Sequence, residues 1–359
     1  MTLPAGATIG IIGGGQLGRM LGMAAAQLGY RTIVLEPQAD CPAAATCGRH
    51  IQAPYDDDAA RDGLARACDV VTYEFENVPV DAARSLEGKV AVYPPPDALD
   101  AAQDRLVEKD FLNAAGLTTA PYRTIDSDGE LAATLEAFGG NGVLKTRRLG
   151  YDGKGQRVFR EAASANTAGV FADMGGVPLI LEGFVAFERE ISVIAARGQD
   201  GALSAYDPAE NLHREGILRS STVPAHISSA TASAAREAAF AILTALNYVG
   251  VIGVEFFVLG DGSLIVNEIA PRVHNSGHWT EAACHVSQFE QHIRAVAGLP
   301  LGAATRHSDC VMENLIGDEV LSAPRLLDEP NLVLHLYGKA EARLGRKMGH
   351  FTRLVSERE

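Results

Sequence analysis

Apolar residues along the first hundred positions follow two alternating periods. Short β-branched runs read as strands bounded by turn signals: TIGII at 8–12, RTIVLE at 31–36, a brief HIQAP at 50–54 and DVVTYEF at 69–75. Between them QLGRMLGMAAAQLG and DDDAARDGLARAC read as helices. The second opens on Asp56, Asp57 and Asp58, where carboxylates suit a helix N-terminus. Strand–helix alternation predicts a parallel sheet covered by helices. The pattern breaks at YPPPDA, where Pro94, Pro95 and Pro96 are expected to end the unit. One charged helix is then expected over DALDAAQDRLVEKDFLNAAG, ending on Gly116.

Beyond Gly116 the pattern changes. VLKTRRLGYDGKGQRVFR reads as two strands joined by a glycine-rich loop, and LILEGFV and EREISVIAARG as strands around a short link. A helix over ATASAAREAAFAILTALN leads into a long hairpin, GVIGVEFFVLGDGSLIVNEIAP. A last helix, SQFEQHIRAVAG, precedes the strand-like LVLHLYGK, and residues 309–330 show the least assignable pattern. There is no internal repeat and no low-complexity tract.

Composition narrows the classes. A chain of 359 residues with 47% hydrophobic content predicts two or three domains with real cores. A net charge of −14 argues against a nucleic-acid or anionic-membrane surface, while leaving room for a local basic pocket that binds a small anion. The five cysteines, Cys41, Cys47, Cys68, Cys284 and Cys310, are odd in number and form no C-x-x-C, which predicts reduced thiols. MTLPAGAT lacks the features of a signal peptide, and no uncharged apolar run reaches the roughly 18 residues of a membrane span. A soluble cytoplasmic protein is expected.

The first candidate chemistry lies at IIGGGQLGRM. Gly13, Gly15 and Gly18 satisfy G-x-G-x-x-G directly after a strand, and Glu36 falls near the roughly 20-residue offset of a ribose-binding carboxylate. A dinucleotide, or another phosphate-bearing ligand, fits this turn.

The long hairpin carries the most informative geometry. Asp261-Gly262 is the preferred pair for a two-residue type I′ turn, and the register this sets places Glu255 directly opposite Glu268 on one face. Like charges so placed are destabilising unless a cation sits between them or one is protonated. With the amide oxygen of Asn267 they make a hard-oxygen set suited to Mg²⁺, with Mn²⁺ as a substitute. Two exposed glutamates on a solvated strand are the plainer reading, but the flanks VEFFV and LIVNEIAP are too apolar for it.

Four further segments carry candidate residues. Lys145 ends a strand, and Gly150, Gly153 and Gly155 frame a loop with Tyr151, Asp152 and Lys154, whose N–H groups can approach phosphate oxygens. No G-K-[ST] is present, so it is not a Walker A loop, and an ordinary hairpin tip looks similar. Glu182 precedes Gly183, Phe184 and Val185, an apolar edge whose main chain suits a purine, and Glu190 is polar within a strand-like run. RVHNSGHWTEAA concentrates Arg272, His274, Asn275, His278 and Trp279 after the carboxylate strand, with His278 open to a core role. GKAEARLGRKMGH gathers Lys339, Arg343, Arg346 and Lys347 as a phosphate patch or a solvated helix face.

Six motifs in order, GGGQLGRM, YDGKGQ, EGFV, VEFF…NEIAPRVHNSGHWT, SQFEQH and LYGK…GRKMGH, span essentially the whole chain. Together they resemble the ATP-grasp superfamily and, within it, the N5-carboxyaminoimidazole ribonucleotide synthetases, ATP-dependent carboxylases of purine biosynthesis. The resemblance implies an α/β and α+β chain of three domains. A Rossmann-like pre-ATP-grasp domain is expected over 1–97. The ATP-grasp fold would span 98–300 with a mobile lid near 118–184, and a small C-terminal domain 301–359. It implies nucleotide contacts from Arg105, Lys145, the loop Gly150 to Gln156, Glu182 to Val185, Glu190, His213 and Asn267-Glu268, with Glu255 and Glu268 as metal ligands. Aminoimidazole ribonucleotide would touch Gln16, Leu17, Glu74, Asp152, Arg272, Asn275, Lys339, Arg346 and Lys347. Arg272 is then expected to hold bicarbonate, and Asp152 or His274 to take the amine proton. A homodimer is implied. The competing functions are a formate-dependent glycinamide ribonucleotide transformylase, which shares the nucleotide machinery, a non-catalytic regulatory nucleotide binder, and a nicotinamide-dependent oxidoreductase.

Overall fold

The computed structural model describes residues 2–150, 155–161 and 167–355. The opening segments form β1 (Thr8–Ile12), β2 (Arg31–Leu35), β3 (Arg49–Ile51), β4 (Val70–Tyr73) and a short β5 (Ala91–Val92), a parallel sheet of order β3-β2-β1-β4-β5. Helices α1 (Gln16–Gln27), α2 (Asp58–Ala67) and α3 (Val80–Arg84) accompany it. Asp57 caps α2 by accepting the Ala60 N–H at 2.8 Å.

The parallel sheet ends at β5, just before the three prolines. Pro96 is the first residue of α4 (Pro96–Gln103), where its fixed φ and missing N–H cost nothing. The single helix expected over 97–116 is two, because Asp104 leaves helical geometry (φ −125°, ψ 114°) before α5 (Arg105–Ala114). Its carboxylate accepts the Leu106 N–H at 3.0 Å and takes a two-pronged pair from Arg147 at 2.9 and 2.8 Å. A polar side chain that can cap a helix competes with the continuous helix, and here it wins.

A small antiparallel sheet of order β6-β9-β7-β8 follows, built from β6 (Tyr122–Ile125), β7 (Gly142–Thr146), β8 (Gln156–Phe159) and β9 (Leu179–Gly183). With α6 (Asp128–Ala137) and α7 (Val170–Asp173) it has its own core of Ile125, Leu131, Leu135, Leu144, Phe159, Val170, Leu179 and Leu181. That core is separate from the others, while ion pairs from Glu182 to Lys109 and from Arg147 to Asp104 join the unit to α5 and its cap.

The large sheet contains β10 (Arg189–Arg197), β11 (Leu203–Ala205), β12 (Ala209–Arg214), β13 (Ile217–Val223), β14 (Gly250–Val258), β15 (Leu264–Ala270), β16 (Asp309–Ile316), β17 (Leu332–Leu336) and β18 (Lys347–Val355). Its order is β15-β14-β10-β12-β13-β16-β18-β17, with β11 on β10. The segment that showed no pattern thus supplies β16, which joins the C-terminal strands to the central sheet. Helix α8 (Ser229–Ala245) lies on β10 and β14, with Ala235, Ala239, Ile242 and Leu243 inward. Two later helices, α9 (Thr280–Ala283) and α10 (Gln288–Val296), follow β15. One core joins Leu17, Met20 and Leu21 of α1 to Ile194, Val251, Trp279 and Ile293, and to Cys310, Met312 and Tyr337 near the C-terminus. The first unit and the large sheet are therefore packed as a block.

The β14–β15 hairpin differs from the expected type I′ turn. Leu259 pairs with Ser263, so the loop is the three residues 260–262, and Gly262 has φ +81°, the left-handed conformation such a loop needs. That shifts the register by one from the expected one. A bulge between Val266 and Glu268 shifts it back, and Glu255 pairs with Glu268 as expected.

Candidate active site

Between the small sheet and the large block lies a cavity of about 710 Å³. Hard oxygens and fixed cations line one end. Glu255 and Glu268 reach it side by side from β14 and β15, Glu255 largely buried and Glu268 partly exposed to the cavity. Burial and the neighbouring Glu268 push Glu255 up to about 7. Burial also acts on Glu268, but Arg105 and Lys145 outweigh it and hold that carboxylate below its usual range. Arg105 donates to Glu268 at 3.2 Å and to the Gly150 carbonyl at 3.3 Å.

The break at Asp104 is what points this helix into the site. Residues 105, 108 and 109 share one face of α5, and Arg105 and Glu108 both line the cavity. Glu108 accepts the Ile269 N–H at 2.6 Å, and burial with the nearby Glu268 pushes it up to about 8. Lys109 is almost wholly buried and donates to the Asn267 carbonyl at 3.3 Å. It also lies 3.4 Å from Glu182, which accepts from Lys145 at 3.0 Å. Glu182 is thus the buried counter-ion of two lysines. Glu190 and His213 form an ion pair at 2.7 Å, and Glu190, with the neighbouring glutamates, holds the imidazole above its ordinary range despite burial.

The other end is built by the first unit and the β15–α9 loop. Gln16 and Leu17 enter from the start of α1, and Phe75, Glu76 and Asn77 from the carboxyl end of β4, where open parallel sheets place ligands. Glu76 pairs with Arg272 and orients it. His274 binds the Ser276 hydroxyl through Nδ1 at 2.8 Å and points Nε2 at Glu255, 3.6 Å away. Burial, with Arg272 and Lys347 nearby, keeps this imidazole far below its ordinary pKa and so neutral. Both side-chain amide atoms of Asn275 are buried with no hydrogen-bond partner among the described residues, and the residue lines the cavity. Lys347, at the start of β18, closes this end.

The opening glycines have a different role from the one their spacing suggested. Glu74 accepts the Gly15 N–H and, at 2.6 Å, the Gly18 N–H, while Glu36 accepts the Gly14 N–H at 2.9 Å. A Cβ on Gly15 would stand 2.5 Å from Glu74 Oε1, and one on Gly14 2.6 Å from Glu36 Cγ. The donors that would cradle a pyrophosphate are satisfied by the protein's own carboxylates. Burial pushes Glu74 up to about 6.

Family models match over most of the chain. A ribonucleotide synthetase preATP-grasp domain covers 6–103, an ATP-grasp domain 110–289 and a phosphoribosylaminoimidazole carboxylase C-terminal domain 310–359. The N5-carboxyaminoimidazole ribonucleotide synthase of Brucella melitensis is 63% identical over 353 residues, covering 98% of both chains. The chain belongs to the N5-carboxyaminoimidazole ribonucleotide synthase family. The Bacillus subtilis member is 43% identical over 97% of this chain and 91% of its own. An ADP complex of a family member superposes with a TM-score of 0.95 at 40% identity, covering 99% of this chain and 95% of that one. The Aspergillus clavatus synthase in complex with ADP and 5-aminoimidazole ribonucleotide superposes with a TM-score of 0.91 at 32% identity, covering 98% and 94%. This chain is accordingly an ATP-grasp ligase.

The cavity brings together seventeen sequence-predicted residues. They are Gln16, Leu17, Arg105, Lys145, Gly150, Gly155, Gln156, Glu190, His213, Glu255, Asn267, Glu268, Arg272, His274, Asn275, His278 and Lys347. Tyr151, Asp152, Gly153 and Lys154 lie outside the described residues. Glu74 and Glu182 are buried and do not line it. Gly183, Phe184 and Val185 stand off its lining, with Arg160 stacked 4.2 Å over the Phe184 ring. Lys339 donates to the Lys347 carbonyl at 2.7 Å, and Arg346 to the Glu341 carbonyl at 3.0 Å. Their segment is a loop entering β18, so the helix-face reading of GKAEARLGRKMGH fails. His278 has a double role: it lines the cavity, yet is buried, bonded to Gln288 at 3.0 Å and stacked on Phe289.

Sequence reasoning missed Glu76, Asn77, Glu108 and Lys109. Two signals were available: charged residues one helical turn from Arg105, and polar residues at the carboxyl end of a parallel strand.

Proposed function

We propose that this chain uses ATP and bicarbonate to carboxylate the exocyclic amine of 5-aminoimidazole ribonucleotide, giving N5-carboxyaminoimidazole ribonucleotide, ADP and phosphate. One observation carries the reading. The paired acids and cations at one end of the cavity are continuous with Gln16, Arg272 and Lys347 at the other. A nucleotide and a phosphorylated acceptor can therefore share one space.

Arg105, Lys145 and the glycine loop hold the nucleotide phosphates, with Lys145 kept in place by Glu182. The donor set of Glu255, Glu268 and Asn267 fits Mg²⁺, because three hard oxygens face one cavity and the buried Glu255, raised by the carboxylate opposite it, is relieved when a cation joins the two. When bound, that ion neutralises charge on the phosphoryl oxygens. A bicarbonate oxygen attacks the γ-phosphorus, ADP leaves, and carboxyphosphate forms. Arg272, held by Glu76, supplies a fixed guanidinium to bicarbonate and then to carboxyphosphate. The amine nitrogen takes the carboxyl carbon, directly or as released CO₂, and phosphate leaves. Neutral His274 and Asp152 are the candidates for accepting the amine proton. Carboxyphosphate reacts with water, so the small sheet with its separate core serves as a lid.

ADP release tests the reading. Aminoimidazole ribonucleotide with bicarbonate should stimulate it; stimulation by glycinamide ribonucleotide with formate instead would overturn the acceptor. The homodimer is part of this proposal, and light scattering should give twice the chain mass. Among the described residues no helix is long and apolar enough to cross a membrane, and a cytoplasmic location is proposed.

A further inference from the structure

A second group of ligand-type side chains lies outside the cavity. His335 on β17 and His350 on β18 are cross-strand partners, with rings 4.9 Å apart and 9° from parallel. Glu281 of α9 meets them from the adjoining layer. Its Oε2 lies 3.4 Å from His335 Nδ1 and 3.8 Å from His350 Nε2, and the three atoms all lie within 4.8 Å of one another.

This arrangement is poor as a hydrogen-bonded cluster. Oε2 is buried and has no hydrogen-bond partner, although two imidazole nitrogens face it. Burial pushes Glu281 up to about 8, so without an ion it keeps its proton near neutrality, and its buried oxygen is still left without the short hydrogen bond that a small approach would give. The three atoms come within reach of one ion after a small side-chain adjustment, since bonds of about 2.0–2.1 Å in a tetrahedron place ligand atoms roughly 3.3 Å apart. The surrounding shell fits as well. The Tyr337 hydroxyl binds His350 Nδ1 at 2.8 Å, fixing the ring so that Nε2 faces Glu281. A metal-bound imidazole is normally anchored through its other nitrogen in this manner. Burial, with His278 and His335 nearby, keeps His350 neutral, the form that ligates. His335 and Glu281 keep partial exposure, so an ion has a way in.

We propose that Glu281, His335 and His350 form a site for a borderline divalent transition ion of the Zn²⁺ class. Two nitrogen ligands out of three disfavour Mg²⁺, which prefers all-oxygen sets. The site is distinct from the Glu255–Glu268 pair. It ties the β17–β18 hairpin, whose second strand begins with Lys347, to the segment that follows Arg272 and His274. The ion is a clip between two parts of the cavity wall and has no part in the chemistry.

Cobalt(II) titration of the chelator-treated full chain tests this. One Co²⁺ per chain should bind with visible d–d absorption, be displaced by Zn²⁺ and be indifferent to excess Mg²⁺. Zn²⁺ should raise Tm. Glu281→Gln and, separately, His335→Gln should remove the band and weaken Zn²⁺ binding by about a hundredfold or more. Circular dichroism should show both variants folded. If either fails to fold, X-ray absorption on the zinc-loaded wild type decides, with two imidazoles and a carboxylate oxygen expected around the ion. The proposal is overturned if no band forms, if it survives both substitutions, or if the absorption spectrum shows a different ligand set.

Discussion

Glu255 stands opposite Glu268 because two one-residue irregularities cancel: the three-residue turn at 260–262 moves the ladder one way and the bulge at Asn267 moves it back. The bulge also turns the Asn267 carbonyl onto Lys109 and so links the metal strand to α5.

The pair should make cation binding depend on pH. Glu255 holds its proton up to about pH 7, where the usual carboxyl loses it near 4.5, and a divalent ion must displace that proton. Apparent Mg²⁺ affinity should therefore rise by up to about tenfold per pH unit and level off above neutrality. Calorimetry in buffers of different ionisation enthalpy reads the released proton; a flat affinity would speak against the assignment. In metal-free protein the raised pKa means stability present below about 4.5 is lost as pH passes about 7, and Glu255→Gln should remove that part of the slope.

Asp104 both caps α5 and grips Arg147. Asp104→Ala should cost about 1–3 kcal/mol in urea unfolding, through the lost cap and the orphaned guanidinium. Asp104→Asn should keep most of the cap and so lose less. Both should raise KM for ATP, because Arg105 and Glu108 depend on where α5 begins.

Glu182→Gln would leave Lys109 and Lys145 buried without their carboxylate, a loss of about 3–5 kcal/mol. Adding Lys109→Met should recover part of it, since one of the two uncompensated charges is gone. Thermal unfolding of the two variants gives the comparison; an additive further loss would contradict the shared counter-ion.

Gln16 lines the cavity from the first residue of α1, on the unit opposite the strands that carry the carboxylate pair. Gln16→Trp should raise KM for the acceptor several-fold while KM for ATP stays nearly unchanged. An equal rise in both would place the nucleotide, rather than the ribonucleotide acceptor, against α1.

Much of this was legible along the chain. The parallel strands of the first unit and the hairpin of the large sheet announced themselves by period, and residues 13–18 correctly announced a strand, a tight turn and a helix N-terminus. The ligand of that turn was not legible: Glu74 arrives from β4, and only the packed sheet shows its carboxylate on the Gly15 and Gly18 N–H groups. Asp104 was hidden for a related reason. Helical periodicity continues through it, while the competing partner, Arg147, lies beyond a further helix and two strands. The facing glutamates were read correctly from an incorrect turn, since alternation reports the face of a strand but not its exact register.

Sequence by itself determined the order of elements, the buried faces and the residue types available for phosphate and cation chemistry, because periodicity and turn chemistry are local. Tertiary structure alone decided which donors remained free for a ligand and which were already satisfied. It put Glu36 and Glu74 on the glycine turn, Glu182 between two lysines, and Glu281 beside two histidines from distant strands. Each pairing depends on how the layers stack, and shifts of a single residue change it.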